Sequence, residues 1–377
     1  EEILVAELAS FEIIEPQITQ GAVRCKGNQE TLYRLNLGLR TALHVLQEVY
    51  TGTLSSVQDL YKAASSIAWE TFISPSQTLS VTLSSSKLSW ISPKYAPLVV
   101  KDAVCDRFTK LYGVRPSVDT RSPSLRIHLH LENHKGTLSI DTSGESLHKR
   151  GYRTEKTEAP LSEVLAAGIL QLIHWNPNLP LYDPMCGSGT FLIEAGLMAL
   201  GIPPGSLRKS FAFTQWKVFN AELFNRVRAQ RLKCPDTSIA IYGSDKDEEA
   251  VQIARRNIQR AGLAEYLNVN CANFGDWIPP RFSSQGGMLL MNPPYGKRLK
   301  DSSLIELYKH IGDILKQKFY GSEAWIFSGN PDALKYLGLQ PFRKYHLRNG
   351  PLLCKLVGFT LIRGKYQKHR NGTPSLS

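Results

Sequence analysis

Residues 181–195, LYDPMCGSGTFLIEA, run from a short apolar strand pattern through an acidic turn and a glycine pair into a helical pattern. Few folds accept that order. A glycine-bracketed turn between a strand and a helix suits a parallel sheet with crossover helices, where ligands sit beyond the strands' carboxyl ends and face a helix N-terminus. The texture continues on both sides: after the helical pattern LSEVLAAGILQLI, the strand patterns LPLYDPM, TSIAIYGSD, YLNVNCAN, GGMLLMNPP and EAWIFSGN alternate with helical ones. A final pair, RKYHLRN and LLCKLVGFTLI, flanks Asn349-Gly350. The spacing predicts an α/β domain, a mostly parallel, doubly wound sheet that ends in one antiparallel hairpin, although Pro351 makes that turn atypical.

The residue types in the first turn narrow the ligand. A phosphate loop needs Gly-Lys-Ser/Thr, and here the sequence is Gly189-Thr190-Phe191; the dinucleotide fingerprint fails because Leu192 occupies its third glycine position. Asp183 ahead of Gly187-Ser188-Gly189 suits a cofactor with an ammonium to satisfy rather than phosphates to repel, and S-adenosylmethionine is such a cofactor. Asp245 ends the next strand, where one carboxylate can bind both ribose hydroxyls. Its separation from Asp183 is 245 − 183 = 62 residues, against roughly 20 in a compact unit. An insert at about 201–236 therefore interrupts the unit, with Phe211, Phe213, Trp216, Arg226, Arg228, Arg231 and Lys233. It reads either as packed helices or as part of a nucleic-acid surface, with packing favoured because aromatics at such spacings are usually core. Asn273, after a third strand, is placed to meet an adenine edge, with Phe274 or Trp277 against its face; a plain asparagine turn is the alternative.

The fourth strand breaks into Asn292-Pro293-Pro294-Tyr295. Two prolines fix φ and remove two backbone donors, so the ladder stops in a rigid turn. Beside a methyl donor that rigidity has a use. An exocyclic amine on a base is a poor nucleophile until fixed acceptors hold its hydrogens. The Asn292 side-chain oxygen and the Pro293 carbonyl supply two acceptors, and Tyr295 offers a stacking face for a flipped base. No strong base is needed, since the amine can lose its proton after it has become cationic.

The first 150 residues have a different texture. Helical patterns lie around 1–11 and across NQETLYRLNLGLRTALHVLQEV, where Asn28 is the expected N-cap and Leu32, Leu35, Leu39, Leu43 and Leu46 recur at helical spacing. Residues 51–150 read as helix, strand, helix and two alternating strands, an α+β module. In LRIHLHL, Arg126, His128 and His130 share one face and Leu125, Ile127, Leu129 and Leu131 the other; the histidines are not spaced as a metal site. The stretch 143–160 reads as a basic linker with a second role in gripping nucleic acid. A net charge of +12 and a pI near 9.3 favour a polyanionic partner. Six scattered cysteines without a C-x-x-C pair argue against zinc and disulfides and suit a reducing cytoplasm. No run approaches a membrane span. Glu1-Glu2 stand inside an amphipathic pattern with no Met, which predicts that further residues precede them.

The segments DPMCGSGTFLIEA, NPPYG, HKRGYR before APLSEVLAAGIL, and LRNGPLLCKL together resemble the THUMP-domain class I methyltransferases, above all the bacterial enzymes that make N2-methylguanosine in large-subunit ribosomal RNA. The resemblance implies a ferredoxin-like region at 1–50, a THUMP RNA-binding domain at 51–148, a linker at 149–159 and a Rossmann-like, S-adenosylmethionine-dependent methyltransferase domain at 160–377. It assigns Asp183, Pro184, Gly187, Ser188, Gly189 and Thr190 to the methionine end, Asp245 to ribose, Asn273 to adenine, Asn292 to both cofactor and acceptor, and Asn292, Pro293, Pro294 and Tyr295 to the acceptor. Relatives often carry Asp where Asn273 stands, and some carry a second methyltransferase domain. RNA, as ribosomal RNA or its assembly precursor, is the implied partner, with neither membrane nor metal. Transfer-RNA guanine, N6-adenine in nucleic acid, and a degenerate, non-catalytic RNA-binding fold are the competing readings; intact DPMCGSGT and NPPY weigh against the last.

Overall fold

The computed structural model describes residues 1–86, 88–153, 161–230, 239–280, 286–295 and 301–362. They form two compact units, one of Glu1–Arg150 with Pro203–Arg231 and one of Gly151–Ile202 with Leu232–Ser377.

The first unit opens with α1 (Glu2–Ala9), the small antiparallel pair β1 (Gln17–Thr19) and β2 (Ala22–Arg24), and α2 (Gln29–Gly38). Asn28 caps α2 in a reciprocal box with Thr31, as its residue type predicts. The helix does not continue through Leu46 as the leucine spacing suggests. It ends at Gly38 because the Glu7 carboxylate of α1 accepts from the backbone amides of Arg40 (2.6 Å) and Thr41 (3.1 Å). Leu46 instead begins β3 (Leu46–Thr53). Then follow α3 (Val57–Ser66), β4 (Thr78–Ser86), α4 (Ala96–Tyr112), β5 (Ser117–Val118), β6 (Leu125–Glu132) and β7 (Lys135–Asp141), in one sheet of order β3-β7-β6-β4-β5. Alternation in β6 works as read: Leu125, Ile127, Leu129 and Leu131 are buried. On the opposite face Ser84 meets the Nε2 of His128 at 2.9 Å and the Nδ1 of His130 at 2.8 Å.

The second unit contributes α5 (Glu163–Leu172), β8 (Leu181–Asp183) and α6 (Thr190–Ala199). The chain then leaves for the insert, which holds α7 (Ala221–Ala229). It returns as β9 (Ile241–Asp245), α8 (Glu248–Arg260), β10 (Leu267–Cys271), β11 (Met288–Met291), α9 (Asp301–Lys318), β12 (Glu323–Ser328), β13 (Arg343–Asn349) and β14 (Leu352–Thr360). Sheet order is β10-β9-β8-β11-β12-β14-β13, parallel from β10 to β12 and antiparallel in the last two strands. The expected doubly wound sheet and terminal hairpin are both present. The pairing register adds a detail: β14 pairs with β12 only from Lys355 to Thr360, but with β13 from Leu352 to Gly358. The hairpin tip thus extends past the last residue of β12, on the edge where the parallel strands end.

The insert belongs to the core of the first unit. Phe211, Phe213, Trp216, Phe224 and Val227 are buried in one cluster with Tyr33, Leu35 and Leu37 of α2. Tyr33 lies 4.7 Å from Phe213 and edge-on to Phe224 at 5.4 Å, geometries favoured by ring quadrupoles. Arg208 donates to the carbonyls of Ser143, Glu145, Ser146 and Lys149, fastening the chain beyond β7. The packing reading of the insert's aromatics holds, although these residues sit with the first unit instead of the 160–377 block. Arg231 and Lys233 lie outside the described residues. The basic linker also differs from expectation. Arg150 is buried, donating to the carbonyls of Arg40 (2.6 Å) and Leu147 (2.8 Å), and Lys149 pairs with Glu145 at 2.8 Å. Arg153 meets Glu163 at 3.4 Å and donates to Thr190. Arg150 and Arg153 therefore hold backbone and carboxylate, not RNA; 154–160 lie outside the described residues.

Phe213→Ala should cost about 3–5 kcal/mol, the range for truncating a buried aromatic. Hydrogen exchange should then lose protection in α2 as well as in 203–230. Loss confined to 203–230 would show that the insert leans on the first unit without supporting it.

Candidate active site

Four adjacent parallel strands, β10, β9, β8 and β11, end on one edge, and each delivers a polar residue there or just beyond. Register aligns Asp183 of β8 with Gly243 of β9 and Cys271 of β10 with Asp245 of β9. Leu289 of β11 aligns with Tyr182 of β8. Asn273, Asp245, Asp183 and Asn292 therefore lie along one edge about 14 Å wide at ~4.8 Å per strand, stepped so that Asp245 and Asn292 are two positions and Asn273 four beyond Asp183, enough for an elongated ligand such as a nucleoside bearing an amino-acid arm.

The turn after β8 is built around two left-handed glycines, Gly187 (φ +50°) and Gly189 (φ +81°), conformations that cost most other residues strain. A side chain added at Gly187 would meet no atom within 4 Å, so its backbone borders open space. Gly189 caps the N-terminus of α6, leaving first-turn amides facing the same edge. Asp245 fastens this loop, its carboxylate accepting from the amide of Gly187 at 2.9 Å and from that of Asp247 at 3.1 Å. Each oxygen retains a further lone pair for a ligand hydroxyl. The side chain of Asn257, buried in α8, donates to the Ser188 carbonyl at 3.1 Å. The carbonyl of Pro184 accepts from Ser244 and the hydroxyl of Thr190 from Arg153, so these two residues serve the protein's own contacts.

Asp183 is the electrostatic centre. It is 2% exposed and accepts from the amide of Met185 at 3.2 Å. Burial first, and then the charge of Asp245, push its carboxyl well above the usual carboxylate range, against the pull of the Met185 amide. A cation placed beside it would restore the ionised form. Burial and both aspartates likewise push the Cys186 thiol up, leaving it protonated and inert.

At the end of β11, Pro293 is buried, Pro294 exposed, and Asn292 and Tyr295 half-buried. The side-chain oxygen of Asn292 is buried with no hydrogen-bond partner among the described residues, and the hydroxyl of Tyr295 is buried close to the side chains of Asn349 and Asn292. A buried unmade hydrogen bond costs about 1–3 kcal/mol, so a ligand donor at Asn292 recovers what folding leaves unsatisfied. Burial raises the Tyr295 phenol, keeping the ring neutral. The ring is seated by a residue that the sequence pattern did not single out: Gly329, just past β12. A Cβ there would stand 2.4 Å from the Tyr295 ring and 2.5 Å from the Leu352 side chain of the terminal hairpin. The only trace of this seat in the sequence is a Gly-Asn pair closing a strand, which reads as ordinary turn punctuation.

Asn273 is exposed at the end of β10, free in position to meet a ligand edge. Phe274 and Trp277, read as faces for adenine, are not on that edge. Both are buried in the second unit's core, Phe274 stacked on Phe319 at 5.5 Å and Trp277 edge-on to Tyr182 at 6.2 Å. Core packing outcompetes the cofactor for these rings. Among the described residues, no group of three His, Cys, Asp or Glu could hold a metal ion. None of the helices among them is long and apolar enough to cross a membrane.

A parallel sheet with a glycine turn at β8, an acidic strand end at β9 and an Asn-Pro-Pro-Tyr turn at β11 defines a methyltransferase domain. Residues 150–357 match the RMKL-like methyltransferase domain, 55–141 the THUMP domain and 1–46 the RlmL ferredoxin-like domain. The chain belongs to this family of THUMP-bearing, RMKL-like methyltransferases. It is 39% identical over 338 residues to a Synechocystis protein named "Putative RNA methyltransferase slr0064", covering 89% of this chain and 87% of that one. It is 36% identical over 374 residues to the ribosomal RNA large subunit methyltransferase K/L of Aliivibrio fischeri, covering 98% of this chain. The chain spans 53%, about half, of that relative's length. The crystal structure of SMU.472, complexed with SAH, superposes with a TM-score of 0.83 at 29% identity, covering 97% of this chain and 96% of that one.

Because folding raises the Asp183 pKa, its contribution to stability is greatest below the unfolded value, about 3.9, and is lost as pH rises through the folded value. Thermal melts should therefore show Asp183→Asn gaining on the parent protein as pH increases. A constant difference between the two across that range would mean that Asp183 is not held above its ordinary pKa.

Proposed function

We propose that the protein transfers a methyl group from S-adenosylmethionine to the exocyclic N2 of a guanosine in large-subunit ribosomal RNA. The observation that carries this reading is the buried oxygen of Asn292, unpartnered among the described residues and one strand away from a glycine loop that borders open space. The likeness to the K/L enzymes, whose name specifies large-subunit ribosomal RNA, supports the substrate. A THUMP match in the first unit and a net charge of +12 suit an RNA partner.

The residues present fit the cofactor. Asp183 would face its ammonium, with the Gly187 to Gly189 backbone along the methionine arm, Asp245 at the ribose and Asn273 at the adenine edge. When bound, it supplies an electrophilic methyl group on a sulfonium. Burial disfavours the ionised form of Asp183 in the free protein and that cation would restore it, so binding lowers its raised pKa and releases protons where the pH lies near it. Asn292 and the Pro293 carbonyl accept the two hydrogens of the target amine, turning its lone pair toward the methyl-bearing end of the row. The neutral Tyr295 ring, fixed against Gly329, supports the extruded base by stacking. An amide oxygen is too weak a base to keep the proton that the amine sheds, and that proton passes to solvent.

Asn292→Ala should lower kcat by roughly a hundredfold to a thousandfold, the usual loss for one preorganised polar group, with cofactor affinity nearly unchanged in calorimetry. Tyr295→Phe should be mild and Tyr295→Ala worse by about 1–3 kcal/mol, the worth of one base–aromatic stack. Equal losses in the two tyrosine variants would assign the work to the hydroxyl and end the stacking model. Nucleoside analysis of RNA methylated with labelled cofactor should yield N2-methylguanosine; N6-methyladenosine would move the assignment to the adenine amine.

Cofactor affinity should rise with pH until the raised Asp183 pKa is passed, and level off above it, because the bound form needs the carboxylate. Calorimetry in buffers of different ionisation enthalpy should record proton release on binding. No net release would separate Asp183 from the cationic end of the cofactor.

A further inference from the structure

We infer that the tip of the β13–β14 hairpin is an RNA-gripping arm that holds the strand flanking the target nucleotide, its phosphates against Arg348 and Lys355 and a neighbouring base against Leu353. This rests on the reading that the protein methylates a base in RNA, and adds to it a contact surface in the catalytic unit itself.

Three observations converge on the tip. First, the pairing register carries it beyond β12: Ser328, the last residue of β12, pairs with Lys355, and residues 347–354 continue past it. That edge of the sheet is the one on which Asp183, Asp245 and Asn292 lie. Second, the hairpin's two faces differ. Leu352 packs on Gly329 beside the Tyr295 ring, so one face reaches the acceptor turn. Residues of the other parity, paired as His346 with Lys355 and Arg348 with Leu353, point the opposite way. There Lys344, His346 and Arg348 are exposed, Lys355 is half-buried, and Leu353 is 61% exposed. Third, the positive charges are without ion-pair partners among the described residues. Among the described residues neither Lys344, Arg348 nor Lys355 forms an ion pair, and Asp332, which feels Lys355 at longer range, is already bridged by Lys335 at 2.7 Å.

An edge strand commonly carries lysine to discourage pairing with other chains. That need is met anywhere along the strand. It accounts neither for an exposed leucine amid unpaired cations nor for an overhang toward the acceptor turn. RNA with one base extruded presents what the tip fits: a bent run of phosphates and, next to the gap, an unstacked base face. Arg348 suits phosphate through its planar fork, and Lys355 as a point charge.

The test uses the full chain and large-subunit ribosomal RNA transcribed in vitro. R348E/K355E should raise the RNA KM at least tenfold, as expected for losing two charge-assisted contacts, with kcat and S-adenosylmethionine affinity unchanged. The slope of log affinity against log salt should shrink by about 1.4, two phosphates at ~0.7 each on single-stranded RNA. L353A should raise KM without altering that slope. If the charge reversal disturbs folding, seen as lost cofactor binding, R348Q/K355Q carries the same test with smaller changes. An unchanged KM and salt slope in variants that still bind cofactor would overturn the inference and leave the charges as protection of an edge strand. Parent protein that neither binds nor methylates the transcript would instead sink the RNA reading on which it rests.

Discussion

Parallel strands in one sheet must all end on the same side, and the chemistry of the second unit depends on that constraint. The residues of the row come from positions 183, 245, 273 and 292, far apart in the chain, yet strand pairing brings them to one edge, in steps that place Asp245 and Asn292 two positions beyond Asp183 and Asn273 four. Each then needs only a local device to aim it. For Asp183 it is the amide of Met185, for Asp245 the amides of Gly187 and Asp247, and for Asn292 a pair of prolines that admit little rotation. The sheet sets position and the turns set direction. Asp245 joins the two, since the carboxylate at one strand end also pins the glycine loop of the next. A substitution there would loosen the loop as well as remove the ribose contact proposed for Asp245, so its effect on binding should exceed that of a single hydrogen bond.

The row leaves selected groups unsatisfied. Asp183 is buried beside another carboxylate, and Asn292 has a buried oxygen with nothing to accept. Elsewhere Asn36 exchanges side-chain hydrogen bonds with Thr142 and Ser143 and Arg208 donates to four carbonyls, while among the described residues the Arg208 Nε and the Trp175 Nε1 are also buried without a partner. An unsatisfied group points to a ligand only where, as with Asp183 and Asn292, it also lies at the carboxyl ends of the parallel strands.

Much of this was legible in the sequence, because strands and turns are local. The seven strands of the second unit, the terminal hairpin, the Asn28 cap and the two-faced β6 all follow from periodicity and turn chemistry. What was not legible is where tertiary contacts outvote local pattern. The leucine repeat from 32 to 46 looks like one helix, but Glu7 claims the amides after Gly38, and residues 39–45 form an irregular connection to the strand that begins at Leu46. Phe274 and Trp277 sit at a ligand-binding strand end in sequence, and the core takes them in space. Arg150 and Arg153 look solvated in a polar stretch, yet nearby carbonyls and Glu163 hold them. The seat of Tyr295 at Gly329 was out of reach, because the need for glycine arises from a ring 34 residues away (329 − 295).

The aromatic cluster around Tyr33 has a consequence for biosynthesis. Residues 1–150 lack part of their own interior until Phe211, Phe213, Trp216 and Phe224 arrive. At about 5–20 residues per second, the ribosome takes roughly 4–16 s to make the intervening 230 − 150 = 80 residues. Throughout that interval the nascent first unit presents an unfilled apolar face around α2, while β8 and α6 of the second unit have been made but still lack β9 to β14. Neither unit can be finished before the other has begun, so a pause or truncation between 150 and 230 strands both, and chaperone capture during synthesis should concentrate on chains ending in that window.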